Sequence, residues 1–150
     1  MKKILFILLL CALSSCKDAV LKEYKTFPMV QWKVEESIKF TANIQDTTSK
    51  YDLIAALRHS ANVELNEVAL KILQITPSGK QKEGNFTVKI RDEKGFLLGS
   101  AMGEITDTEQ KIVEKTTFSE IGNYTFEIRA VATEKILPIA ELGLIIQKNQ

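Results

Sequence analysis

After Gly122 and Asn123, the chain alternates between apolar and polar residues more regularly than anywhere else in its sequence. The apolar set is Tyr124, Phe126, Ile128, Ala130 and Ala132, and the set between them is Thr125, Glu127, Arg129 and Val131. A period of two places successive side chains on opposite faces, as in a β-strand with one buried face. We therefore expect a strand here with its aromatic and aliphatic side turned towards a core.

The same alternation recurs in three further segments. Their apolar members are Ile38, Phe40, Ala42 and Ile44, then Phe86, Val88 and Ile90, and finally Leu142, Leu144 and Ile146. Turn-forming residues at 46–49 and 92–95 follow the first two segments. Short strands separated by turns predict an all-β fold, an antiparallel β-sandwich of about seven to eight strands, jelly-roll or Ig-like.

Residues 51–60 and 67–74 are ambiguous. Both are rich in Leu, Ala, Lys and Glu, which favour helix. Both also fit a period of two, through Leu53, Ala55 and Leu57 in the first and Val68, Leu70 and Ile72 in the second. Taken alone, either segment is compatible with helix or strand, and the strands predicted elsewhere favour strand for both.

The N-terminus has the organisation of a bacterial export signal. Lys2 and Lys3 precede an apolar run at residues 4–13, which is shorter than the roughly 20 residues that cross a bilayer and suits the apolar region of a signal peptide. The run ends in Leu-Ser-Ser-Cys at residues 13–16, which resembles the lipobox of bacterial lipoproteins. That resemblance implies lipid on the Cys16 thiol, cleavage before Cys16 and acylation of the new amine. The alternative is an ordinary signal peptide followed by a free cysteine.

These observations predict a signal peptide at residues 1–15, a lipidated and irregular tether at 16–33, and a β-sandwich domain at 34–150. About 135 residues remain after cleavage, which fits one domain. Cys11 would leave with the signal peptide, so Cys16 could form no disulfide within the chain and no cysteine-based metal site. In the tether, we expect Trp32 to pack at the core or rim of the domain rather than to serve as a ligand platform.

Charge and chemistry-bearing residues argue against several function classes. With 20 Lys and Arg against 19 Asp and Glu, the chain lacks the basic excess typical of nucleic-acid binding. His59 is the only histidine, whereas zinc sites usually need three or four ligands, and its neighbour Ser60 would point to the other face of a strand. Asp107 and Glu109 could share a strand face, but the polar residues around them favour a solvated loop. We therefore predict no catalytic residue, no metal, no cofactor and no small-molecule ligand.

Several short stretches resemble the GldH family of gliding-motility lipoproteins. They are Trp32 before residues 37–40 (Ser-Ile-Lys-Phe), residues 51–53 leading to Leu57-Arg58-His59, residues 118–126 with their Phe, Gly, Tyr, Phe spacing, and residues 137–144 near the end. The resemblance implies a non-catalytic component of the gliding machinery, which overlaps with type IX secretion. It also implies a membrane attachment through Cys16, partners among other envelope or motility proteins, and a place in the cell envelope, expected at the outer membrane and facing the periplasm or the cell surface.

A different function class remains open from the sequence. β-Sandwich lipoproteins can also bind carbohydrates or surface glycans. Such a module needs an exposed aromatic platform, and the candidates are Trp32, Tyr51, Phe96 and Phe118. Burial of these rings would remove the basis for this alternative.

Overall fold

The structure, a computed structural model, describes residues 19–149, and most of these residues lie in β-strands. The strands are β1 (Ala19–Thr26), β2 (Trp32–Lys33), β3 (Ile38–Ile44), β4 (Tyr51–Ser60), β5 (Glu67–Ile75), β6 (Gln81–Lys89), β7 (Ser100–Met102), β8 (Ile105–Thr116), β9 (Gly122–Val131), β10 (Ile136–Leu137) and β11 (Ile139–Lys148), with one 3-10 turn at Pro28–Val30. The all-β prediction is confirmed. Cys16 and the expected signal peptide lie outside the described residues.

The strands form two main antiparallel sheets that pack face to face. The larger sheet has the order β1-β11-β4-β8-β7 and the smaller one β3-β9-β5-β6, while β2 and β10 pair separately. One continuous cluster of buried apolar side chains draws on both sheets, including Leu57, Leu144, Leu70 and Phe126. The main sheets thus contain nine strands within the described chain, more than expected, and β1, β7 and β8 are the strands that the sequence pattern did not predict.

The two ambiguous segments are both strands. Residues 51–60 are β4 and residues 67–74 lie within β5, so the choice of strand over helix is correct. In β4, the side chains of both faces are buried from Tyr51 to Leu57. A strand buried on both faces has a continuous apolar run instead of a clear alternation, which explains why the sequence pattern was ambiguous there.

An aromatic cluster joins the two sheets at the end of the sandwich where β1 begins. The ring of Phe118, in the connection between β8 and β9, lies 5.1 Å from Tyr51, 4.8 Å from Tyr124 and 6.4 Å from Phe126 between ring centroids. All three contacts are edge-to-face, the geometry that aromatic pairs favour. The Tyr51 hydroxyl donates to the Asp46 carbonyl at 2.6 Å, which fixes the neighbouring turn to this cluster.

The expectation of an irregular segment is wrong for residues 19–26. Ala19–Thr26 forms β1, which pairs with β11 from Ala19 opposite Gln147 to Thr26 opposite Glu141, and Leu21 belongs to the core. The pattern was hidden because Glu23 and Lys25, which share the face of Leu21, are exposed at the sheet edge. Charged residues at inward positions of an edge strand are a common protection against unwanted pairing with other chains.

Trp32 packs in the core, as the sequence predicted. Its side chain is fully buried and stacks on Phe27, with ring centroids 5.1 Å apart and planes inclined by 7°. Its indole Nε1 is buried without a hydrogen-bond acceptor among residues 19–149. Such an N–H loses its water contacts without replacement, which costs about 1–3 kcal/mol.

We expect Trp32→Phe to cost far less stability than Trp32→Ala. Phenylalanine keeps the stack on Phe27 and removes the unpaired N–H, so its cost should stay below about 2 kcal/mol, whereas alanine leaves a cavity worth about 3–5 kcal/mol. Urea unfolding of the two variants and the parent checks this. Equal losses for both variants would contradict our account of the buried indole.

Candidate functional site

The start of β1 shows where the chain enters the domain. Lys17 and Asp18 alone separate Cys16 from Ala19. Ala19 lies opposite Gln147, Lys148 opposite Tyr51, and Tyr51 opposite Thr116, so these strand ends lie together. We call this part of the sandwich the Ala19 end; it comprises the connections at residues 45–50, 76–80 and 117–121, the flanking strand ends, and Asn149.

Two carboxylates organise the Ala19 end. Asp46 accepts hydrogen bonds from the Thr48 backbone N–H at 2.8 Å and the Ser49 hydroxyl at 2.5 Å, and lies 2.8 Å from the Lys148 ammonium. The Lys148 contact, followed by the hydroxyl donors, holds the pKa of Asp46 well below its ordinary value. This network connects the β3–β4 turn to the last strand.

Asp52 is buried on the outer side of β4. Its carboxylate lies 2.8 Å from Lys111 Nζ and accepts from the Lys115 backbone N–H at 3.0 Å and from Asn149 Nδ2 at 2.8 Å. These donors, with Lys111 the strongest, lower the pKa of Asp52 to about 2. The three partners come from β8 and the C-terminus, so Asp52 ties both to the centre of the sheet.

A second polar cluster lies on the outer face of the larger sheet, near the opposite end. Arg58 of β4 makes two parallel bonds to Asp107 of β8, from Nε to Oδ1 at 2.7 Å and from Nη2 to Oδ2 at 2.9 Å, and its Nη1 lies 3.0 Å from Glu141 Oε2 of β11. Thr26 of β1 donates to the other oxygen of Glu141 at 3.1 Å. The four side chains come from four adjacent strands, and the Arg58 hydrogen bonds lower the pKa of Asp107.

Tyr24 closes the side of this cluster towards the Ala19 end. Its ring covers Gly143, where a Cβ would lie 2.5 Å from Tyr24 Cδ1. A cavity of about 250 Å³ is lined by Tyr24, Ala56, Arg58, Glu109 and Glu141 among others. Burial, with Glu109 and Asp107 adding to it, raises the pKa of Tyr24. The cavity offers the Tyr24 hydroxyl and the Glu109 carboxylate to a donor or a cation on a partner, since Arg58 and Asp107 already satisfy each other.

Placing Asp107 and Glu109 in a solvated loop was wrong. Both belong to β8, and Thr106 and Thr108, which alternate with them, are buried on the core side. Threonine fits a pleated sheet well, so the polar residues around the acids are strand residues. Of the Tyr24, Arg58, Asp107, Glu109 and Glu141 cluster, only the acid pair two residues apart was visible in the sequence, because the other members are distant along the chain.

His59 is a buried residue of β4 rather than part of a site open to solvent. Its Nδ1 lies 2.9 Å from the Ser60 carbonyl and its Nε2 lies 3.2 Å from the Thr108 hydroxyl, which donates to the Leu98 carbonyl at 2.9 Å. The Ser60 hydroxyl instead accepts from the Asn62 backbone N–H. In residues 19–149, no group of three or more His, Cys, Asp or Glu is arranged to hold a metal ion.

A broad groove follows the outer face of the smaller sheet. It has a volume of about 960 Å³, and Lys71, Arg129, Lys33 and Lys135 supply its basic side chains. Lys71 is paired with Glu83 at 2.6 Å. The groove is open and has a mixed lining, a character that suits a protein surface better than a small ligand.

The aromatic residues considered for glycan binding do not form a platform. Trp32, Tyr51 and Phe118 are buried in the core, and of the four candidates only Phe96 is exposed. In the described part of the chain, no helix has the length and apolar character needed to cross a membrane.

Comparison with known proteins assigns the chain to a family. The family model of the GldH lipoproteins matches residues 19–146. This chain belongs to the GldH lipoprotein family. A relative from Flavobacterium johnsoniae, named Gliding motility lipoprotein GldH, is 30% identical over 131 residues, which cover 85% of this chain and 80% of the relative. The resemblance noted in the sequence is thereby confirmed, and the region matched by the GldH model begins at the first residue of β1. Membership of a lipoprotein family implies anchoring to a membrane of the cell envelope.

We expect Asp52→Asn to lower the free energy of unfolding at neutral pH by roughly 1–3 kcal/mol, since a buried charged hydrogen-bond acceptor is removed. The folded pKa of Asp52 is about 2, and the unfolded value is about 3.9. The stabilisation that ionised Asp52 provides is therefore complete at pH values above about 3.9. It is lost as the pH falls towards 2. The free energy of unfolding should therefore change less between pH 7 and pH 3 in the variant than in the parent, and urea unfolding at both pH values measures this change. Glu93→Gln, on an exposed turn, is the control and should leave the difference unchanged; an unchanged difference in Asp52→Asn would contradict the assignment.

Proposed function

We propose that this GldH-family chain is a non-enzymatic component of the gliding-motility and type IX secretion machinery, held in the envelope by lipid on Cys16. The observation that carries the proposal is the family match over nearly the whole sandwich, together with the relative named for gliding motility. That similarity covers 80% of the relative's length, so the two proteins share a domain and not a fragment.

The proposed anchor rests on the sequence before β1. A positively charged start, an apolar run at residues 4–13 and the Leu-Ser-Ser-Cys box occur in the order that lipoprotein export requires. Two or more acyl chains give stable attachment, whereas a single chain gives marginal binding. We place the protein at the outer membrane, facing either the periplasm or the cell surface.

The non-enzymatic part of the proposal rests on how the polar side chains are used. Arg58, Asp107 and Glu141 form ion pairs with one another, and Asp52 is surrounded by donors. His59 contacts a backbone carbonyl and a threonine hydroxyl, not a nucleophile that it could activate. These side chains stabilise the sheet, and the surfaces that remain available are suited to contacts with other envelope proteins.

We expect Cys16→Ser to abolish incorporation of labelled palmitate and to release the protein from the membrane fraction. Cys11→Ser is the matched control, because it changes a cysteine inside the apolar run and should leave labelling intact. Globomycin should cause an uncleaved, acylated precursor to accumulate in the parent. Labelling of Cys16→Ser equal to the parent, or no precursor under globomycin, would rule out the proposed anchor.

Deletion of the gene tests the machinery assignment. We expect reduced colony spreading in a gliding source, reduced secretion of type IX cargo, or both, with rescue by the parent and not by Cys16→Ser. Colony spreading on agar and cargo in the culture medium are the two readouts. If both are normal in the deletion strain, the motility and secretion assignment fails.

A further inference from the structure

We propose that the Ala19 end of the sandwich rests on anionic phospholipid headgroups, through Lys50, Lys80, Lys82 and Lys115, with Ile121 entering the interface. The proposal adds a defined orientation to the lipid anchor at Cys16 and rests on that anchor. Its partner is a lipid surface, and the domain would stand with β1 pointing away from the membrane.

The short connection between Cys16 and β1 limits how far the Ala19 end can lie from the lipidated residue. Only Lys17 and Asp18 intervene, and a fully extended chain advances at most about 3.6 Å per residue. Ala19 would therefore lie within roughly 11 Å of the lipidated residue, a distance close to the Debye length of about 8–10 Å. Charges at the Ala19 end would interact with headgroups, whereas the eight residues of β1 place the opposite end some 25 Å farther away, at about 3.3 Å per residue.

The net charges of the two ends differ in sign. Each end is taken as its connections plus the two outermost residues of each flanking main-sheet strand. The Ala19 end then has five basic residues and three carboxylates, and the opposite end has seven basic residues and eight carboxylates. At the Ala19 end these are Lys50, Lys80, Lys82, Lys115 and Lys148 against Asp46, Asp52 and Glu120. Each lysine close to an anionic bilayer strengthens binding by roughly fivefold.

The carboxylates of the Ala19 end are already engaged. Asp46 pairs with Lys148, Asp52 pairs with Lys111, and Glu120 accepts from the Ser78 hydroxyl at 2.8 Å and from its backbone N–H at 3.0 Å. In contrast, Lys50, Lys80, Lys82 and Lys115 are exposed, and within residues 19–149 their ammonium groups lie within 4.0 Å of no carboxylate oxygen. Of the four, Lys80 acts on a carboxylate at longer range and contributes to the lowered pKa of Glu120. Their charge is therefore available to an external anion.

Ile121 supplies an apolar contact at the same end. It lies in the connection between β8 and β9 and is 62% exposed. The adjacent Glu120 holds this connection to the turn at Ser78, and Phe118 packs into the core beneath it. An exposed isoleucine at the same end of the sandwich as the four lysines is suited to the boundary between headgroups and acyl chains.

The test uses the chain from residue 16 onward with Cys16→Ser, because the described core lies entirely within residues 19–149. Flotation with vesicles of phosphatidylglycerol and phosphatidylcholine, compared with phosphatidylcholine alone, measures binding at low salt. We expect binding only to the anionic vesicles and its loss at high salt. Lys50→Glu, Lys80→Glu, Lys82→Glu and Lys115→Glu together should weaken binding at least roughly tenfold, and Ile121→Ser should weaken it by a smaller factor.

The matched control reverses four charges at the opposite end, with Lys33→Glu, Lys89→Glu, Lys94→Glu and Lys135→Glu together. It should change binding much less than the first set, with thermal unfolding confirming that both variants are folded; the corresponding Lys→Gln sets replace any that is not. Equal losses in both sets, no preference for anionic vesicles, or lysine-dependent binding to peptidoglycan without vesicle binding would overturn the proposal. Because this chain has no acylated cysteine, the result is independent of whether Cys16 is lipidated in the cell.

Discussion

Strands β4 and β11 lie side by side at the centre of the larger sheet, and their pairing positions the rest of the domain. Leu53, Ala55 and Leu57 face the core together with Leu142, Leu144 and Ile146. On the other face, Ile54, Ala56 and Ile145 are also buried. Fully burying a leucine or isoleucine side chain contributes about 1.5–3 kcal/mol, and residues 19–149 contain no cysteine that could add a disulfide. Burial of both faces of these two strands therefore stabilises the centre of the larger sheet.

The same pairing determines where the polar groups meet. Because Arg58 lies opposite Glu141 on one side and Asp107 on the other, one guanidinium can contact both carboxylates. Asp52, six residues earlier on the same face, contacts Lys111 of β8 and Asn149, which follows the end of β11. Charged groups on this outer face stabilise the register of the strands, and a register shift by one residue would turn them into the core.

The sequence was most informative where a strand is buried on one face. β3 and β9 follow the alternation residue by residue, with Ile38, Phe40 and Ala42 opposite Ile128, Phe126 and Tyr124. It was ambiguous for β4, whose two buried faces remove the alternation, and wrong for β1, where charged residues occupy inward positions at an edge. The Arg58 cluster could not be predicted, because it depends on the register between strands that are distant in sequence.

The family relation narrows the possible functions further than the geometry does. A sandwich with satisfied polar clusters and an open groove is compatible with many binding functions, since a fold does not determine a function. Membership of the GldH lipoproteins narrows these to a membrane-anchored envelope protein. The position of β1 then adds a physical constraint to the proposed anchor, because a domain that begins three residues after a lipidated Cys16 would be held close to the membrane with one end facing it.

We infer that Cys16 is the lipidated first residue of the mature protein, and the intact mass of the protein purified in detergent decides this. The expected mass is that of residues 16–150 plus a diacylglyceryl group and an amide-linked acyl chain. An unmodified chain, a chain that retains residues 1–15, or one that begins at another residue would contradict it.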